Sequence, residues 1–161
     1  MSFYTDTIVK DNRFHSTKEV HDLMLLEPVT RAAVKAVIAD AGAMGIKLMA
    51  WETYRSKERQ EALFVAKATK LKTVGVHHYG LACDLVKDVN GQPSWKGDFT
   101  FLTKLCKKHG LISGNDWGQP WAKHKFIDSC HVQRITLQRQ KALFAGKWYP
   151  DSAYDPYKDA A

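Results

Sequence analysis

Apolar positions along the chain fall into two rhythms, one helical and one extended, separated by glycine and proline punctuation. From Val29 to about Ala41 they recur at Ala33, Val34, Val37, Ile38 and Ala41, the three-and-four spacing that lines one face of a helix. Pro28 suits the first turn of that helix, and Gly42 and Gly45 end it. Upstream, Ser16-Thr17-Lys18-Glu19 has the form of a capping box and predicts an earlier helical start. Ile46 to Tyr54 (IKLMAWETY) is rich in strand formers and predicts a strand. Ser56 then caps a helix from Lys57 to about Lys70, and Thr73-Val74-Gly75-Val76 forms a loop. Ala82 to Val89 predicts a second strand, followed by the turn signal Asn90-Gly91. Asp98 opens a helix through about His109, with Gly110 as its C-cap. Leu111 to Trp117 reads as short and extended, and a loop with Gly118 and Pro120 follows. His131 to Ile135 predicts a last strand, Thr136 to Ala145 a last short helix, and the tail from Gly146 is irregular. Helices and strands mix without a regular strand-helix-strand alternation, so the expected class is α+β with a small antiparallel sheet flanked by helices.

Composition narrows this picture. A chain of 161 residues is most simply one domain. Within it we expect an N-terminal helical part to about residue 45, a core from there to about residue 145, and an irregular tail. Three cysteines at irregular spacing argue against a disulfide framework and fit synthesis in a reducing compartment. The N-terminal MSFYTDTIVKDNRF has no apolar core of a signal peptide, so the expectation is synthesis without export by that route. No apolar run approaches the roughly 18 residues of a membrane span. The formal net charge of +7 raises the local concentration of polyanions, an anionic cell-wall polymer or membrane surface as well as nucleic acid. The Lys and Arg residues are scattered, with a loose group at Lys67, Lys70 and Lys72, and no nucleic-acid motif accompanies them, so no nucleic-acid partner is expected.

The candidate chemistry sits in His77-His78-Tyr79-Gly80-Leu81-Ala82-Cys83-Asp84 and, much later, Asp128-Ser129-Cys130-His131. Two His and one Asp form a zinc set that leaves a fourth position open for water, which separates a catalytic zinc from a structural one. His77 and Asp84 are an odd number of residues apart and would face opposite ways on one continuous strand. Gly80 permits the turn that lets them converge. From Ala82 to Val86, Ala82, Asp84 and Val86 share one face, while Cys83 and Leu85 point into a core. Asp128 and His131 likewise converge only if the chain turns between them. There, Asp128 is placed to take a proton from a water activated by the metal. His78 is the rival ligand to His77. Cys83 and Cys130 are alternative thiolate donors, although they face away from neighbouring ligands on a strand. Asp116 is a rival base, a group that orients a ligand, or a purely structural residue. Trp117 and Trp121 are equally readable as groove lining and as core. His15, His21, His109 and His124 have no evident partners and carry no functional reading.

These motifs resemble a known family. HxxGxAxD followed by carboxylate-x-x-His is similar to the zinc-dependent D-alanyl-D-alanine carboxypeptidases and L-alanyl-D-glutamate endopeptidases of peptidoglycan, among which are many phage endolysins. Tyr54-Arg55-Ser56 with Arg59-Gln60, and Gly110-Leu111 with Gly114-Asn115-Asp116-Trp117, extend the resemblance from about Ile46 to Gln133. It implies a Hedgehog/DD-peptidase-like fold with Zn2+ at the sheet, held by His77, Asp84 and His131. It also implies Asp128 as catalytic base and Arg55 as a group steadying the substrate's carbonyl or carboxylate. Asp at position 128, where the carboxypeptidases usually carry Glu, looks more like the phage endopeptidases. Gly75 and Cys130 depart from the family, which often has Ser and Pro there. The expected function is therefore an L-alanyl-D-glutamate endopeptidase acting on stem peptides as a monomeric phage or prophage endolysin. Such a protein is made in the host cytoplasm and acts on the wall after release. A D-alanyl-D-alanine carboxypeptidase of the same fold, or a non-catalytic zinc-stabilised basic binding module, are the alternatives.

Overall fold

The computed structural model of the protein describes residues 2–67, 69, 74–116 and 129–159. Helix α1 spans Pro28–Ala43, with proline in its first turn and the Glu27 carboxylate capping the Val29 and Thr30 amides. Its buried face is Thr30, Ala33, Val34, Val37 and Ala41. Gly45, at φ +82°, takes the left-handed conformation that releases the chain into strand β1, Leu48–Glu52. Ser56 caps α2, Lys57–Val65, by accepting from the Arg59 amide. A 3₁₀ turn, Val76–Tyr79, carries both histidines of the first motif, and Gly80 at φ +73° closes it. Strand β2, Ala82–Val89, follows and turns through Asn90 and Gly91, both at positive φ, into β3, Gln92–Ser94. Helix α3 is Phe101–Lys108, β4 is Ile112–Ser113, β5 is His131–Gln133 and α4 is Gln140–Phe144.

The sheet is antiparallel throughout. Strand β2 is its centre, paired along one edge with β1 and along the other with β5 and then β3, while β4 extends the sheet beyond β5. One register point decides the site: Asp84 lies opposite Glu52 of β1 on one side and His131 of β5 on the other. A break in the β1–β2 register between Ala50 and Glu52 leaves Trp51 without a counterpart, and brings Glu52 level with Asp84. The main core packs α1 and α3 on the sheet through Val34, Val37, Leu85, Val86, Leu102 and Val132. A smaller apolar group joins Val76, Leu81 and Ala82 to Ile135 and Leu143.

Several expectations are corrected. No helix forms at Ser16–Glu19; the Ser16 hydroxyl instead accepts from the Lys18 amide in a local turn. A short π-helical turn at Tyr4–Ile8 and a 3₁₀ turn at Leu23–Leu25 serve the N-terminal region. Helix α2 ends at Val65, before Lys67 enters positive φ. Helix α3 starts at Phe101, because the Asp98 carboxylate is spent on the Thr100 amide and hydroxyl. Among the described residues from Leu111 to Asp116, extended chain is limited to β4, and Gly114–Asp116 forms a 3₁₀ turn. The return strand β3 has no counterpart in the sequence reading. Val86 belongs to the same buried apolar group as Cys83 and Leu85. Among the described residues, no helix is long and apolar enough to cross a membrane.

Candidate metal centre

Three elements deliver one side chain each to a common point. His77 arrives from the 3₁₀ turn, Asp84 from the middle of β2 and His131 from the start of β5. Gly80 makes the first approach possible. Its conformation is left-handed, and a Cβ there would stand 2.7 Å from Ile8 Cδ1 and 2.9 Å from the Leu25 carbonyl oxygen. A turn at Ser129–Cys130 precedes His131.

His77 Nε2 lies 3.3 Å from Asp84 Oδ1, and His131 Nδ1 lies 3.6 Å from the same oxygen. Ligand atoms of all three residues fall within 4.8 Å of one another, and all three residues are at most 9% exposed. A tetrahedron with zinc–ligand bonds near 2.0 Å has edges of about 3.3 Å, so this spacing suits that ion. A second observation agrees. His77 Nε2 and Asp84 Oδ1 are buried polar atoms with no hydrogen-bond partner. Buried polar atoms are normally satisfied, and two facing orphans with lone pairs are what a cation between them would satisfy. The residues present therefore fit Zn2+.

The far atoms of each candidate ligand are tied down. His77 Nδ1 is 2.8 Å from the Thr53 carbonyl oxygen, to which it donates, so Nε2 keeps its lone pair. His131 does the reverse: Nε2 is 2.8 Å from Gln133 Oε1, and Nδ1 faces Asp84. Asp84 Oδ2 accepts from the Arg55 guanidinium at 3.3 Å, leaving Oδ1 for the two imidazoles. Burial alone would raise the Asp84 pKa, but His77, His131 and Arg55 together hold it well below the usual carboxylate range. Arg55 is itself clamped, donating to Glu52 at 2.7 Å and to Gln60 at 3.3 Å. Glu52 also accepts from Arg59 at 3.0 Å. Burial would raise Glu52 too, yet Arg55, with help from His77 and Arg59, lowers it, so it stays a carboxylate.

His78, the rival ligand, points elsewhere. Its Nε2 is 2.8 Å from the Tyr4 hydroxyl and its Nδ1 is 3.3 Å from the Arg55 carbonyl oxygen. Tyr4, Phe14, Tyr54 and Tyr79 surround the ring, and burial lowers its pKa. Cys83 is fully buried in the core, where desolvation pushes its thiol up and makes it a poor thiolate donor. Cys106 and Cys130 are buried as well. Asp128, Trp117, Trp121 and His124 lie outside the described residues, as do Lys70 and Lys72.

Sequence reasoning passed over four participants. Gln133 stands two residues after His131 on one strand, so period-two alternation would have put both on one face. Glu52 and Thr53 sit just before the Tyr54-Arg55-Ser56 motif. Tyr4 had no local signal at all. Three histidines without apparent sequence partners do have structural ones: His15 meets Glu58 at 2.7 Å, His109 meets Asp40 at 2.7 Å, and His21 Nδ1 meets the Trp51 carbonyl oxygen. All three pairs involve groups at or near the surface, remote in role from the triad.

A small antiparallel sheet flanked by helices, with a His/Asp/His group drawn from β2, β5 and the 3₁₀ turn before β2, defines a class: the chain has the fold of the zinc D,D- and L,D-peptidases. The L-Ala D-Glu endopeptidase ChiX of Serratia marcescens superposes with a TM-score of 0.55 at 18% identity, over 76% of this chain and 93% of that one. The vancomycin resistance D,D-pentapeptidase VanY of a VanB-type cassette, in complex with Zn(II), superposes with a TM-score of 0.50 at 15% identity, over 74% and 78% of the two chains. No family model matches the sequence. The peptidoglycan L-alanyl-D-glutamate endopeptidase CwlK of Bacillus subtilis (strain 168) is 24% identical over an alignment of 146 residues, covering 77% of this chain and 84% of the relative. In fold and motif order the chain resembles the D-alanyl-D-alanine carboxypeptidases and L-alanyl-D-glutamate endopeptidases of peptidoglycan, and its sequence likeness to CwlK agrees.

Proposed function

We propose that this protein is a zinc peptidase that hydrolyses the L-alanyl-D-glutamate bond of peptidoglycan stem peptides, working as a phage or prophage endolysin. The observation that carries the reading is the buried meeting of His77 Nε2, Asp84 Oδ1 and His131 Nδ1, two of them orphaned atoms. Two endopeptidases of this specificity are among its relatives, and Asp rather than Glu precedes the last histidine. All three ligands come from one chain, so a monomer suffices.

In this reading His77, Asp84 and His131 hold Zn2+. When bound, the ion supplies Lewis acidity at the scissile carbonyl and makes a water acidic enough for a carboxylate base. Asp128 takes the proton of the attacking water and returns it to the departing amine. Arg55 has two tasks that its geometry makes compatible. Its contact with Asp84 Oδ2 orients the ligand, and its positive charge, held beside the site by Glu52, favours negative charge developing on the carbonyl oxygen. The net charge of +7 brings the protein to an anionic wall.

Mass-resolved digestion of purified peptidoglycan tests the reading. The expected product pattern is a new N-terminal D-glutamate with L-alanine left on the glycan side, abolished by a chelator and restored by zinc. Loss of a terminal D-alanine instead would assign the carboxypeptidase activity. Release of no fragment at all would leave a binding module.

A further inference from the structure

The two imidazoles at the centre turn opposite nitrogens inward, and their outer nitrogens explain why. His77 is fixed by a backbone carbonyl, which no side-chain substitution removes. His131 is fixed by a side chain. Gln133 is 1% exposed and lies between Ala82 and Ile112 in the sheet register. Its Nε2 donates to the Ile135 carbonyl oxygen at 2.8 Å, and that bond decides which way the amide faces. A carbonyl can only accept, so the amide nitrogen must be on that side and Oε1 must face His131. Oε1 can only accept in turn, so His131 Nε2 carries the proton and Nδ1 keeps the lone pair toward Asp84. A half-turn of the ring would put a carbon where Nδ1 stands and would strand Gln133 Oε1 in a dry interior.

We propose that Gln133 is a positioning residue for the metal, holding His131 in the one ring orientation and tautomer that presents Nδ1 to the ion. The proposal rests on the ligand set assigned above. It states that the relay from the Ile135 carbonyl through Gln133 to His131 contributes to metal affinity separately from its contribution to folding. Outer hydrogen-bond partners of metal-bound histidines typically carry 10–100-fold in affinity.

The test is zinc affinity, measured by competition with a chromophoric chelator, for the parent, Gln133→Met and Gln133→Glu, with melting temperature of the zinc-free proteins alongside. Methionine fills the volume but cannot accept usefully from Nε2, and zinc should bind roughly 10–100-fold more weakly. Glutamate keeps the acceptor but loses the donation to Ile135. It should therefore lower the melting temperature yet bind zinc within about threefold of the parent. Nitrogen-15 spectra of the zinc-free parent should show the His131 ring protonated at Nε2, and those of Gln133→Met a mixture of tautomers. If the parent binds zinc and Gln133→Met matches it within threefold, Gln133 is not a positioning residue. If both variants lose affinity in proportion to their lost stability, its role is packing alone. A parent that binds no zinc overturns the ligand assignment itself, and this proposal with it.

Discussion

Asp84 concentrates the logic of the site in one residue. Its two oxygens are divided, Oδ1 toward two imidazoles and Oδ2 toward Arg55, because β2 is central and has a neighbour on each side. At this scale the chemistry was legible in the sequence, since His and Asp at motif spacing declare themselves. The support was not: Gln133, Glu52 and the Thr53 carbonyl matter only once strand register places them. The roles proposed for the two aspartates separate by substitution. Asp128→Asn nearly preserves shape but cannot take a proton as a carboxylate does, so it should keep its zinc and lose on the order of 10²–10⁴-fold of turnover. Asp84→Asn should lose zinc, because the amide gives the two imidazoles and a cation a weaker partner. Zinc content and muropeptide cleavage on the same preparations check both. If Asp128→Asn cleaves at the parental rate while Asp116→Asn is inactive, the base is Asp116.

Elements with strong, self-consistent signals were read well, and those decided by tertiary packing were not. Strand β2 and its Asn90-Gly91 turn, and helix α1 with its proline start, follow from local pattern. The capping-box motif at Ser16 failed because local side-chain bonds compete with helix formation. There Ser16 Oγ takes the Lys18 amide, and the Ser16 carbonyl accepts from the Ser56 hydroxyl across the molecule. Phe14, moreover, is held against Tyr4, Tyr54 and His78. The turn around Gly80 is the element the site depends on most, as its carbonyl accepts from the Glu27 amide at the start of α1 and its open flank admits Ile8 and Leu25. Gly80→Ala adds a Cβ against a backbone carbonyl in a left-handed conformation that itself costs roughly 1–2 kcal/mol. With the clash, the expected loss is about 2–4 kcal/mol, a fall in melting temperature of about 4–16 °C for a chain of this size. Zinc affinity should fall as well, since His77 and Asp84 flank the turn. A melting temperature within about 1 °C of the parent would show that the turn tolerates a side chain and does not set the approach of His77.

The whole molecule ties its ends to the fold. The N-terminal turn is bonded to the turn that carries His77, through Tyr4 and His78. The tail is held by Arg134, which is buried just beyond β5, paired with Glu27 at 3.0 Å and bonded to the Asp151 and Tyr154 carbonyls. Such an arrangement was invisible in the sequence, where Arg134 and Glu27 are far apart and the tail has no periodic pattern. Charge acts at the same scale. If the balance of +7 concentrates the protein on an anionic wall, sedimentation with purified sacculi should weaken as salt rises, because mobile ions screen exposed charge. Cleavage of a small soluble muropeptide should respond far less, and equal salt sensitivity on both substrates would remove the steering role. The proposed chemistry needs one bound ion held by three named residues. Its most direct test is metal content of the folded protein, purified without added metal, for the parent, His77→Ala, His131→Ala and His78→Ala. The expected result is close to one zinc per chain in the parent and in His78→Ala, and almost none in the other two. A parent without zinc, or a His77→Ala protein that keeps full zinc while His78→Ala loses it, would contradict it.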